Sequence, residues 1–237
     1  KTALAEINKS SEYGVPTLTL SQKPGLTELS PSVFRNSLTM EMQIRHLVRV
    51  AMDDLGMKKF AVLYPNDTYG VETTNIFWDE VLARGGTIAA AQTYNPKDTD
   101  FRQSVQRLTG TFYIEGRLDE YKFRQKEFLQ TNKIKSTRTN YNADDLLPSI
   151  VAFDGIFIPD NAKTMGQLAA FLSYAGVKSV RLLGTNLWNT PGLAKRAGNF
   201  AEQLLFVDSF TQSSLNTNRF MSEYKAIYNE DPSLIEI

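Results

Sequence analysis

Short apolar runs, each followed by a stretch of helical periodicity, recur along the sequence and constrain its fold more than any other feature. FAVLYP (60–65), TIAAAQTY (87–94), GIFIP (155–159), VRLLGT (180–185) and LLFVDSF (204–210) are the clearest, with VPTLTL (15–20) and VFRNS (33–37) before them. The intervening stretches carry apolar residues at helical spacing. Ile44, Leu47, Val48, Ala51 and Leu55 fall on one face of a helix over 39–55, with Thr39 as N-cap and Gly56 as the stop. Ile76, Phe77, Val81 and Leu82 mark the next helix, which ends at Gly85-Gly86. Phe101, Val105 and Leu108 mark a helix over 100–108. Further helices are predicted over 2–12, 162–175 and 191–198, with a last one carrying Phe220, Tyr224 and Ile227. This alternation predicts βαβ units around parallel sheets. The continuous apolar character of the runs predicts strands covered on both faces.

Several functional classes are excluded or disfavoured by composition. Lys+Arg and Asp+Glu are both 26, so the formal net charge is zero, which argues against bulk electrostatic binding to nucleic acid or an anionic membrane. The absence of cysteine rules out disulfides, thiolate nucleophiles and thiolate metal sites. The single histidine, His46, lies off the apolar face of its helix beside Arg45 and Arg49 and reads as a solvated surface residue. No GxSxG, HExxH or phosphate loop is present. The expectation is a non-catalytic protein with no cofactor and no metal. No apolar run approaches the roughly 20 residues needed to span a membrane. The chain opens as a helix already under way and closes on PSLIEI, an apolar helix beginning, so both ends read as cuts through a larger fold.

One segment breaks the rhythm. Residues 110–150 are too long for a simple connection and contain Lys122, Arg124, Lys126, Lys133, Lys135 and Arg138. A solvated insertion, with a short helix and a loop, accounts for the charge. The aromatics Phe112, Tyr113, Tyr121, Phe123 and Phe128 keep a partner-binding surface open as the alternative.

In open parallel sheets ligands bind beyond the C-terminal strand ends, where loops and helix N-termini converge. Here those ends carry Ser21 and Gln22, then Asn66, Asp67, Thr68 and Tyr69, then Asp160 and Asn161, then Thr185, Asn186 and Trp188, then Asp208 and Ser209. The set is mostly polar and uncharged, with two aromatics, as suits a small ligand held by hydrogen bonds and stacking. The same Asp, Asn, Ser and Thr positions also serve as N-caps, and Trp188 also serves as a packing residue.

The order and spacing of several stretches resemble the type I periplasmic-binding-protein superfamily, in its leucine/isoleucine/valine-binding branch. They are GVPTLTLS…PGLT (14–27), VFRNS (33–37), DTYG (67–70), Gly85-Gly86, FDGIFIPDNAKTMGQLAAFLSYAGVKSVRLLGTNLWN (153–189), LLFVDSF (204–210) and FMSEYKAIYNEDPS (220–233). The resemblance implies two doubly wound parallel-sheet lobes with the ligand in the cleft between them. It implies that 1–38 is the end of lobe one, 39–207 is lobe two with 110–150 inserted, and 208–237 is the return to lobe one. Lobe one is then incomplete in this chain.

Carried over residue by residue, Tyr69 matches the family's ligand-stacking tyrosine. Ser21 matches a head-group hydroxyl, and Gln22 replaces a threonine beside it. The acid expected shortly after Phe34-Arg35 falls near Met40 or Met42, with Glu41 between them, and Asn186 stands where a glutamate is expected. An ammonium ion in a dry cleft needs a carboxylate partner, so the resemblance implies a polar ligand without fixing an amino acid. The implied ligand-binding set is Ser21, Gln22, Tyr69, Asp160, Asn161, Asn186 and Trp188, on a periplasmic solute-binding protein that takes an amino acid or peptide-like ligand and serves an ABC permease. IPDNAKT (158–164) and LLGTNLWN (182–189) also resemble the penicillin-binding-protein-activator group. That resemblance implies a regulatory module acting on a cell-wall synthase, a lipoprotein anchored in the outer membrane through a segment outside this chain, with 110–150 as its contact surface.

Overall fold

The protein, described by a computed structural model over residues 2–131, 146–211 and 214–233, is built of parallel sheets and helices. The chain divides into two compact units, one formed within 1–43 and 208–237 and the other within 44–207.

The larger unit carries a five-stranded parallel sheet. Its strands are β3 (Lys59–Pro65), β4 (Thr87–Tyr94), β5 (Gly155–Phe157), β6 (Arg181–Gly184) and β7 (Leu204–Phe206), in the order β4-β3-β5-β6-β7. Residues alternate between the two faces, and the inner strands are buried on both. Ala61, Leu63, Ile156 and Leu182 join one core with Val105 and Leu108 of helix α4 (Arg102–Leu108), Phe101 at the N-cap of that helix, and Met165, Leu168 and Leu172 from α6 (Ala162–Tyr174). On the opposite face Phe77 of α3 (Thr68–Ala83) stacks on Phe157 at 4.2 Å between ring centroids and meets Phe60 edge-on at 5.6 Å. The continuous apolar runs are thus explained by cover on both sides.

β4 departs from that expectation. It is an edge strand with alternating exposure, and its pairing with β3 shifts register between Phe60/Ala61, where Phe60 pairs with Ile88 and Ala61 with Ala90. Its alanines and Gln92 suit a strand with one edge unpaired within the sheet.

The helix predicted over 39–55 is an α-helix only over Met40–Arg49 (α2). It passes into a wider π-helical turn at Val50–Asp54. Thr39 does cap it, accepting from the Met42 N–H at 3.2 Å. Ile44, Leu47, Val48 and Ala51 are buried as predicted, while Leu55 is exposed because the π turn rotates it off the apolar face. In α3 the inward residues are Thr73, Thr74, Phe77 and Val81, and Leu82 faces solvent. Arg84 ties α3 to the π turn through Asp53 at 2.9 Å.

The segment after α4 forms a 3-10 turn (Ile114–Arg117) and α5 (Leu118–Thr131), no residue of which is buried. Lys133, Lys135 and Arg138 lie outside the described residues. A short α7 (Leu193–Ala197) and a 3-10 turn to Gln203 lead into β7.

In the smaller unit β1 (Thr17–Thr19) and β2 (Val33–Arg35) form a two-stranded parallel sheet, each shorter than the apolar run that predicted it. Ile7 of α1 (Thr2–Glu12), Leu26 and Val33 make its core. α8 (Leu215–Tyr228) is capped by Ser214, whose hydroxyl accepts from the Thr217 N–H at 3.1 Å. No helix among the described residues is long and apolar enough to cross a membrane.

Candidate functional site

The chain enters the large sheet at β3, moves outward to β4, then returns to the other side of β3 to form β5. The strand order therefore reverses between β3 and β5. The crevice beyond the C-terminal ends at such a switch point is where open α/β sheets bind ligands, because the flanking loops part there. Asn66–Tyr69 follow β3 at this point, and Asp160 and Asn161 follow β5.

Local chemistry explains the first loop. Asp67, in extended conformation, caps α3 by accepting from the Gly70 N–H at 2.7 Å. Gly70 is required by a close approach: a Cβ there would lie 2.2 Å from the Pro65 carbonyl oxygen. The helix can then begin directly on the strand end, which aims Tyr69 across the sheet mouth. The Tyr69 and Thr185 hydroxyls bond at 3.0 Å, joining the ends of β3 and β6. Tyr69 is half-buried, and burial is the main reason its phenol is pushed above the ordinary tyrosine range, with the Thr185 bond opposing and Asp160 and Asp67 adding to it.

A second pair lies beside it. The Tyr94 hydroxyl, at the end of β4, donates to Asp160 Oδ2 at 2.8 Å. Tyr94 is only 3% exposed, and burial first, then the Asp160 charge, raise its phenol strongly. Both phenols are therefore neutral hydroxyls at physiological pH. Asp160 Oδ1 accepts from the Asn161 N–H at 2.6 Å and from its Nδ2 at 2.7 Å. The Asp160 carbonyl accepts from the Trp188 indole N–H at 2.9 Å. A groove of about 560 Å³ shares Asn66 and Tyr94 with this mouth and extends past Gln92 to Gln103 and Arg107.

The sequence-predicted residues fare differently. Tyr69, Asp160 and Asn186 stand at the ends of β3, β5 and β6, with Asn186 opening a 3-10 turn over Asn186–Trp188. Asn161 also stands there, but its Oδ1 caps α6, accepting from the N–H groups of Lys163 at 2.9 Å and Thr164 at 3.1 Å. Trp188 does not present a stacking face. It is 0% exposed, it belongs to the core beneath the mouth, and its ring fills the space a Cβ on Gly184 would take at 2.3 Å. Its one polar atom has found the Asp160 carbonyl, so packing is the role the structure gives it.

Ser21 and Gln22 follow β1 in the smaller unit. Ser21 is locally engaged: its N–H donates to Thr19 Oγ1 at 3.1 Å, and its carbonyl accepts from the Ser37 hydroxyl at 3.2 Å. Gln22 is exposed. The residue that sequence inspection missed is Tyr94. Its position as the last residue of a predicted strand was the available signal. Among the described residues no group of three or more His, Asp or Glu could hold a metal ion.

No protein-family model matches the sequence, and no curated protein matches it. Solved structures do share its fold. LivJ of Streptococcus pneumoniae, a branched-chain amino acid transporter substrate-binding protein in complex with isoleucine, is 20% identical with a TM-score of 0.57, the match covering 99% of this chain and 56% of that one. A putative branched-chain amino acid ABC transporter protein from Rhodospirillum rubrum is 16% identical with a TM-score of 0.69, covering 98% and 56%. A solute-binding protein of an ABC transporter from Rhodopseudomonas palustris, in complex with 3,4-dihydroxybenzoic acid, is 19% identical with a TM-score of 0.53, covering 99% and 55%. The chain thus has the α/β parallel-sheet fold of the type I periplasmic binding proteins, and it spans just over half the length of these structures.

Proposed function

From that fold, we propose that the chain belongs to a periplasmic solute-binding protein that takes a small polar ligand without transforming it, in partnership with an ABC permease. The observation that carries this is the convergence of Tyr69, Tyr94, Asp160 and Thr185 at the switch point of the five-stranded sheet. Two neutral phenols, a carboxylate and a buried hydroxyl form a preorganised polar wall, held by bonds between different strand ends rather than by loop geometry alone. Tyr69, half-buried, is the stacking surface, and Asp160 and Asn186 are the polar contacts. Ser21 and Gln22 are the contacts proposed for the smaller unit. The regulatory alternative, a module acting on a cell-wall synthase, gains no support from the comparisons.

Thermal unfolding of the chain against amino acids, short peptides, sugars, amines and aromatic acids tests the proposal. A ligand at about 100 times its Kd stabilises by roughly 2.7 kcal/mol, which a shift in Tm detects. Tyr69→Ala is expected to abolish that shift while leaving the far-UV circular dichroism unchanged. Absence of any stabilising compound, or a shift that survives Tyr69→Ala undiminished, would overturn it.

A further inference from the structure

The charge at the mouth of the large sheet carries more information than its polarity. Asp160 accepts three hydrogen bonds through its carboxylate, and every donor is neutral: the Tyr94 hydroxyl, the Asn161 N–H and the Asn161 side-chain amide. Asp67, across the same mouth, accepts from the Gly70 N–H. Neither carboxylate forms an ion pair among the described residues. No lysine, arginine or histidine occurs in Asn66–Tyr69, Asp160–Asn161 or Thr185–Asn186, and Arg107 of the adjoining groove, which Asp98 and Asp100 also line, lies over the Phe112 ring. Lys163, in the first turn of α6, is exposed.

Asp160 is half-buried, so solvent compensates its charge only in part. The hydrogen bonds orient the carboxylate without supplying a countercharge. Tyr69 adds an aromatic ring in the same field, a surface that attracts cations through its quadrupole. An anionic group entering here meets the like charge of half-buried Asp160, with exposed Asp67 beside it, and a cationic group meets a fixed countercharge.

We infer that the mouth takes a ligand bearing a positively charged nitrogen, of ammonium or guanidinium type, with Asp160 as its countercharge, and discriminates against ligands whose only charge is negative. This rests on the solute-binding function proposed above and adds the ligand's charge class to it.

The test uses the whole chain and matched compounds that differ in charge: isoamylamine, leucine and 4-methylpentanoate on one skeleton, and phenethylamine, phenylalanine and 3-phenylpropionate on another. Isothermal titration is expected to show the amine binding at least tenfold more tightly than the matching carboxylate, with an affinity that falls as salt is raised. Asp160→Asn is expected to erase that preference, weakening the amine at least tenfold. The wild-type charge series stands by itself should that variant fail to fold. Equal or tighter binding of the carboxylate, or an amine affinity unmoved in a folded Asp160→Asn, overturns the charge inference and leaves solute binding standing. No binding by any charge class, together with an empty thermal screen, overturns both.

Discussion

Phe157 on β5 and Phe34 on β2 occupy strands of the same length, each paired in parallel, yet Phe157 is 0% exposed and Phe34 is 56% exposed. Phe157 stacks on Phe77 and lies between two neighbouring strands. Phe34 pairs with Leu18, itself 64% exposed, in a sheet of two strands among the described residues. The residue types alone do not separate these cases. Hydrophobic stabilisation follows the area removed from water, and that depends on how many elements surround a strand. The larger unit therefore holds its strand ends on a closely packed core, and the polar network of Tyr69, Tyr94, Asp160 and Thr185 is built there. The smaller unit offers Ser21 and Gln22 from a loop, and among the described residues its core is Ile7, Leu26 and Val33.

Four substitutions probe this contrast. Phe157→Ala is expected to cost about 3–5 kcal/mol, because it removes a buried ring and leaves a cavity against Phe77. Chemical denaturation measures it, and a loss below 1 kcal/mol would remove the distinction between the units. Gly70→Ala is expected to cost about 1–3 kcal/mol, since its methyl would overlap the Pro65 carbonyl and push α3 off the strand end. Because that shift moves Tyr69, the ligand-induced Tm shift should shrink with it. Asn161→Ala should cost about 1 kcal/mol for the lost cap of α6. It also removes one donor from Asp160, so ligand affinity should fall by more than the loss of helix stability explains. Phe34→Ala is expected to change stability by no more than about 0.5 kcal/mol. A cost comparable to that of Phe157→Ala would show that β2 is covered in the folded protein. Amide hydrogen exchange extends the comparison, with β3 and β5 expected to be protected well above β1 and β2.

Much of the fold was legible in the sequence because its signals are local. Apolar runs bounded by Pro65 and Gly184 marked strands, helical spacing at Ile44, Leu47, Val48 and Ala51 marked α2, and Thr39 was identified as its cap. Local signals failed where packing overrides them. Leu82 fits the helical spacing but faces solvent, and Leu55 is turned outward by the π-helical turn. The candidate site was legible only as a list of strand-end residues. Tyr69 stood out by its motif. Its partner Thr185 is 116 positions away, and nothing in either neighbourhood announces the bond. From the sequence, Trp188 fits both ligand stacking and packing, as any aromatic at a strand end does. The structure buries it, since its indole N–H has a backbone carbonyl to bond and Gly184 leaves room for its ring.

By itself the sequence determined the alternation of strands and helices, the caps, the absence of thiol chemistry and the set of polar residues at the strand ends. These depend on residues within a few positions of one another. The tertiary structure alone decided that β5 lies beside β3, so that the switch point gathers Tyr69 and Asp160, and that Tyr94, from an edge strand, donates to a carboxylate 66 positions away. Strand order is a property of packing. In a parallel sheet every inner strand carries the same apolar pattern, so the pattern says that a strand is buried but not which strand is its neighbour.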